Sequence, residues 1–286
     1  MNDSKNRDSE AVALVTGASS GFGLLTAVKL AELGYTVIAT MREPSRKEEL
    51  ERRAERSGIL GRVRVMRMDV TDPAGIEETV KAVLADYDRI DVLVNNAGYA
   101  AGGFVEEVPP EAWRQQLETN FFGLVAVTKA VLPQMRERRT GLIVNIGSVS
   151  GRAAFPGFGP YAASKFAVEG FSECLRHEMS PFGVKVVLLE PGAYRTPIWN
   201  KGLSQIASAG DSPYRARLDA VMKYSRKAAV TAPDPQEVAD LIGRIARLRS
   251  PRLRYVLGRG SRLMIGGRAL LPWSWFERIV ARALRS

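Results

Sequence analysis

Two residue types are almost missing from the 286-residue chain, which has one cysteine, Cys174, and one histidine, His177. A lone thiol allows no internal disulfide and favours a reducing compartment. A lone imidazole excludes a histidine-rich metal centre, and any Ser-His-Asp triad not built on His177; no metal site is expected. No apolar run is long enough to cross a bilayer. The opening MNDSKNRDSE lacks the apolar centre of a secretory signal, so residues 1–10 read as a disordered tail and the protein as cytoplasmic. Repeats and low-complexity segments are absent as well. Lysine is missing from one region: residues 244–286 hold 11 arginines, a single acid, Glu277, and no lysine. The net charge of +10 therefore sits in that tail, and the remainder is neutral. Such asymmetry fits either an anionic surface as partner or a solvated arginine face on a terminal helix. No nucleic-acid partner is expected.

What the chain does have is alternation. AVALVTG (11–17), YTVIAT (35–40), VRVMRM (63–68), IDVLVNN (90–96), LIVNIGS (142–148), VKVVLLE (184–190) and LRYVLG (253–258) are short apolar runs. Such runs suit strands buried on both faces. Between them, 22–34, 45–57, 73–87, 110–138 and 161–180 carry helical signals, and Asp234-Pro235 opens another helix. The pattern predicts an α/β fold: a Rossmann-type, doubly wound parallel sheet with helices on both faces. It forms one domain over 11–260, with 193–232 irregular, followed by a basic C-terminal helical extension over 261–286.

The chemistry-bearing residues cluster at strand ends. TGASSGFG (16–23) follows the first strand, where Gly17, Gly21 and Gly23 let backbone approach a pyrophosphate at a helix N-terminus. NNAG (95–98) follows the fourth strand, Ser148 ends the fifth, and Pro191-Gly192, with Thr196 beyond, follow the sixth. Tyr161 and Lys165 stand four residues apart, on one helix face. Of the eight tyrosines, only Tyr161 has a lysine at that offset. A neighbouring ammonium favours phenolate over phenol, which predicts a Tyr161 pKa lowered toward neutrality.

TGASSGFG, NNAG, Asn120, Ser148, YAASK and PGAYRT, in this order, resemble the classical short-chain dehydrogenase/reductase family, over residues 11–260. Residues 161–186 are most similar to its hydroxysteroid and retinol dehydrogenase subgroup. The resemblance implies Tyr161 as general acid/base and Lys165 as its partner and a ribose ligand. It implies Ser148 as the group orienting the substrate oxygen, and Asn120 as support for a water leading from Lys165 to solvent. The cofactor set it implies is Gly17, Ser19, Ser20, Gly21, Phe22, Gly23, Arg42, Asp69, Val70, Asn96, Ala97, Gly98, Tyr161, Lys165, Pro191, Gly192 and Thr196. NAD-using members place an acid where this chain has Met41; Arg42 follows it, which favours NADP(H), although Ser20 replaces a second basic residue found in many NADP-preferring members.

The expected substrate is a bulky apolar alcohol or ketone (steroid, retinoid or long chain), bound by Ser148, Tyr99, Phe155, Tyr194 and Trp199. The implied function is NADP(H)-dependent interconversion of a carbonyl and a secondary alcohol. The alternative is a catalytically idle NADP(H)-binding relative that acts through protein contacts. The family's use of helices matching 110–138 and 161–180 as interfaces implies a homodimer or homotetramer. In 270–286, Trp275, Phe276, Ile279, Val280 and Leu284 form one stripe flanked by Arg278, Arg282 and Arg285. We read it as packing over the substrate entrance or a partner subunit, with weak membrane-surface contact as the alternative.

Overall fold

Every position of β1 (Val12–Val15) is apolar and buried, with Ala13 and Val15 in one core and Val12 and Leu14 in the other. A strand covered on both faces requires this alternation. β1 pairs in parallel with β2 (Thr36–Met41) and with β4 (Val92–Asn95). With β3 (Val63–Arg67), β5 (Gly141–Ile146), β6 (Val184–Pro191) and β7 (Arg254–Leu257), the order is β3-β2-β1-β4-β5-β6-β7, all parallel. The winding direction reverses between β1 and β4, so a crevice opens at their carboxyl ends. The computed structural model describes residues 11–197 and 212–284. The expected tail 1–10 lies outside them.

Helices α1 (Gly21–Glu32) and α8 (Gln236–Ala246) cover one face, with Leu24, Ala27 and Leu30 sharing a core with Val238, Ile242 and Ile245. Helices α3 (Pro73–Tyr87), α5 (Gly123–Glu137) and α6 (Gly159–Met179) cover the other through Ile76, Val80, Val131, Met135 and Leu175. Each such side chain contributes about 1.5–3 kcal/mol by leaving water. Helix α2 (Glu48–Arg56) follows a 3₁₀ turn, Pro44–Arg46, that replaces the first turn of the expected 45–57 helix.

Three expectations are corrected. The helix predicted over 110–138 is broken into α4 (Pro110–Leu117), a π-helical turn (Glu118–Phe122) and α5. Asn120 lies in that turn, buried, with its amide committed to other segments; widened turns of this kind recur at functional sites. The segment 193–232 is not irregular throughout, because α7 (Arg215–Thr231) buries Leu218, Val221 and Ser225 along one side. The Gly/Ser-rich composition belongs to the part before it. The extension holds two helices, α9 (Ser261–Leu270) and α10 (Trp273–Ala283). The first was hidden by Gly266-Gly267 at its centre, a poor helix signal.

Candidate active site

A cavity of about 740 Å³ runs along the carboxyl ends of the central strands. Its floor is the turn after β1. Gly17 has φ +66°, and a Cβ there would sit 2.9 Å from the Cα of Ala97, so both conformation and contact demand glycine. Asn96 holds the turn: its Nδ2 donates to the carbonyls of Thr16 at 2.8 Å and Gly17 at 3.1 Å. Thr16 Oγ1 in return accepts from the backbone N–H of Asn96 at 2.9 Å and of Ala97 at 3.0 Å. Ser19, Ser20, Gly21 and Phe22 line the cavity at the start of α1, whose first turn carries no acid. Its free N–H groups and dipole suit an anion.

At one end the walls are Met41, Arg42, Glu43 and Arg46 on one side and Met68 to Thr71 on the other. Asp69 is occupied locally, its Oδ1 accepting from Thr71 N at 3.0 Å and Thr71 Oγ1 at 2.8 Å. Arg42 is 69% exposed, with its guanidinium 3.6 Å from Glu43.

At the other end stand Ser148, Tyr161 and Lys165. Ser148 stands two residues beyond β5 in extended conformation, and its Oγ accepts from Ser150 N at 3.1 Å. Lys165 is buried, and its Nζ donates to the carbonyl of Ile146 at 2.7 Å. Burial brings its ammonium down to about 8. Burial pushes the Tyr161 phenol up, while its hydrogen bond with Ser148 pulls it down. This corrects the expectation that Lys165 would lower that phenol. In this structure desolvation dominates, and the hydroxyl opposing it is serine's.

Comparison with known proteins decides the family. Residues 11–206 match the short chain dehydrogenase family. The chain is 48% identical over 278 residues to the uncharacterized oxidoreductase YusZ of Bacillus subtilis, covering 96% of this chain and 99% of that protein. It is 38% identical over 248 residues to the 3-ketodihydrosphingosine reductase of Bacteroides thetaiotaomicron, covering 86% and 87%. The actinorhodin polyketide ketoreductase, solved with NADPH, superposes with a TM-score of 0.76 at 32% identity, covering 90% of this chain and 98% of that one. The chain belongs to the short-chain dehydrogenases.

Most of the expected site residues of this short-chain dehydrogenase meet in the cavity; among the described residues Gly23, Asn120 and Phe155 do not. Gly23 packs beneath it, where a Cβ would overlap Asn96 Nδ2 and the Gly17 carbonyl. Asn120 does not line it; its Nδ2 donates to Tyr99 O at 2.9 Å and Ser164 Oγ at 3.1 Å, and its Oδ1 accepts from Tyr99 N at 3.0 Å. Phe155 stacks on Tyr224 at 5.0 Å, away from the lining. Tyr194 borders the cavity but is buried, hydrogen-bonded to Glu237 at 2.8 Å and edge-on to Phe22 at 5.5 Å. Trp199, with Ile198, Leu203 and Ile206, lies outside the described residues.

Sequence reading missed several participants. Arg46 lines the cavity beside Arg42, and its spacing from Arg42 across Pro44 was a legible signal. Gln115, Glu118 and Thr119 add polar wall near Tyr99. Beneath the site, Asn95 Nδ2 donates to Thr128 Oγ1 and Asn145 Oδ1, each at 2.9 Å, and Asn145 Nδ2 donates to Ser172 Oγ at 2.9 Å. This buried ladder ties β4 and β5 to α5 and α6, and fixes the strand ends that carry Asn96 and Ser148.

Proposed function

We propose that this short-chain dehydrogenase is an NADP(H)-dependent oxidoreductase interconverting a carbonyl and a secondary alcohol on a bulky apolar substrate. The observation that carries the reading is one cavity with an anion cradle at its centre, two arginines at one end, and Ser148, Tyr161 and Lys165 at the other. The glycine turn at the acid-free start of α1, which lines the cavity, fits a dinucleotide pyrophosphate. When bound, the nicotinamide supplies or accepts the hydride.

The protein's own residues handle the proton. Tyr161 gives its hydroxyl proton to the carbonyl oxygen during reduction and takes it back during oxidation. Ser148 holds the substrate oxygen and donates to the phenolate once formed. Lys165 keeps a positive charge beside that phenolate and binds ribose hydroxyls. Asn120, through Tyr99 and Ser164, is a positioning residue: it ties the 98–99 turn to α6.

Nicotinamide cofactors of both kinds occur among the solved relatives, so the NADP(H) preference rests on this chain. It has no acid at Met41, and Arg42 and Arg46 line the same end of the cavity, where two guanidiniums suit a 2′-phosphate. The names of two relatives, a 3-ketodihydrosphingosine reductase and a retinol dehydrogenase, support a lipid-like substrate. Exposed Phe122 and Phe166, beside and on the helices used as interfaces in the family, support a homodimer or homotetramer. An absorbance screen of NADPH oxidation with long-chain ketones, ketosteroids and retinal tests the reading. Turnover with one of these classes is expected; turnover only with small polar ketones or only with NADH overturns it.

A further inference from the structure

Helices α9 and α10 present an apolar surface that the rest of the described chain leaves uncovered. Leu263 and Leu270 on α9 and its end are 81% and 86% exposed, and Trp273, Trp275 and Ile279 on α10 are each more than half exposed. Phe276 is the one described residue of α10 that is buried. Val280 and Leu284 are half-buried, so the stripe read as packing is only partly covered by this chain. Arg268 stacks over the Trp273 ring at 4.5 Å and lies 6.0 Å from that of Phe276, joining the two helices.

The charge around these residues has one sign. Arg262, Arg268, Arg278 and Arg282 form no salt bridge with any described residue. The only acid of the two helices, Glu277, accepts from Trp273 Nε1 at 2.7 Å. No described helix is long and apolar enough to cross a membrane.

We propose that α9 and α10 together dock on an anionic phospholipid bilayer, lying in its interface with Leu263, Leu270, Trp275 and Ile279 below the headgroups and the arginines among the phosphates. Tryptophan with leucine and isoleucine on a short arginine-rich helix is the composition that partitions to that depth. A second copy is a poorer occupant, because a twofold contact would lay this arginine patch on itself. The remainder of the chain carries no net charge, so the basic excess lies in residues 244–286. The proposal concerns binding alone and stands apart from the catalytic roles.

Co-sedimentation of the full chain with vesicles of phosphatidylcholine, and with equimolar phosphatidylcholine and phosphatidylglycerol, tests it. Binding is expected to the anionic vesicles, weakening as salt rises. Replacing three arginines (R262Q/R278Q/R282Q) weakens it by roughly 100-fold, from about fivefold per basic residue. W275S/I279S weakens it on the order of 10-fold or more. All five side chains are exposed, so the unfolding temperature of both variants should match the parent. Equal affinity for the two vesicle types, no binding to either, or unchanged binding in both variants overturns the proposal. Loss of an oligomer in W275S/I279S, with no vesicle binding by the parent, assigns the face to a second copy and overturns it too. Retention by a single-stranded oligonucleotide in place of anionic vesicles does the same in favour of nucleic acid.

Discussion

Lys165 reaches Ile146 and not the phenol oxygen of Tyr161: its Nζ donates to the Ile146 carbonyl at 2.7 Å and stands 5.8 Å from the centroid of the Tyr161 ring. The ammonium thus grips the last residue of β5 from α6, two positions before Ser148. It ties the strand end to the helix. Burial opposes ionisation of both groups.

Tyr161→Phe removes the only proton the proposed reaction can draw from that position. Turnover should fall by about 10³-fold or more, while NADPH affinity, read by quenching of tryptophan fluorescence, changes little. Retained turnover would end the assignment.

The depressed Lys165 pKa gives a pH signature. An ammonium with a pKa of about 8 is charged below that value and neutral above it, so kcat/KM for carbonyl reduction should be flat at lower pH and decline as pH rises past about 8. In Lys165→Arg, whose group stays charged, that alkaline limb should vanish even if the rate is lower. An unaltered limb in the arginine variant would assign it to another group.

Arg42→Ala and Arg46→Ala test the nucleotide end separately. Each should weaken NADPH by about 10–100-fold, the loss of a charge-assisted hydrogen bond, and leave NADH nearly unaffected. Parallel losses for the two nucleotides would show that these residues bind something both share.

Glu169 and Glu190 meet under the sheet edge. Arg254 Nε is 3.1 Å from Glu169 and 3.7 Å from Glu190, and Arg152 is 3.1 Å from Glu190. Burial, then the hydrogen bond and charge of Glu190, push the Glu169 carboxyl up. The folded chain therefore holds a proton that the unfolded chain releases. Its contribution to stability is full below the ordinary carboxylate pKa and drains away as pH rises through the elevated folded value. In Glu169→Gln that loss should disappear. Between about pH 5 and about pH 9 the unfolding temperature of the parent should fall more than that of the variant. Identical slopes would refute the raised Glu169 carboxyl.

The sheet was legible because its strands are continuous Val/Ile/Leu runs, which only a doubly covered parallel sheet accommodates. The site's shared edge was legible because glycine turns, NNAG and Ser148 each follow such a run. The break at Asn120 was not, since a π turn leaves the apolar spacing of α4 and α5 nearly unchanged. Phe155 shows the limit of composition: an aromatic near a pocket in sequence stacked instead on Tyr224, a residue 69 positions away. The state of Tyr161 was misjudged because spacing reports distance along a helix, whereas burial depends on neighbours from other elements. Arg46 was within reach of sequence reasoning, had the turn after Arg42 been read as short and tight.

A boundary drawn at residue 260 passes through a joint. Gly192, beside the proposed substrate end, has no room for a Cβ because Ser261 Oγ already fills that space, and Gly192 N donates to Leu257 O at 2.9 Å. The first residue of the C-terminal helices therefore backs Gly192, a residue of the cavity wall. Shortening the protein at that point would remove the side chain that packs against Gly192.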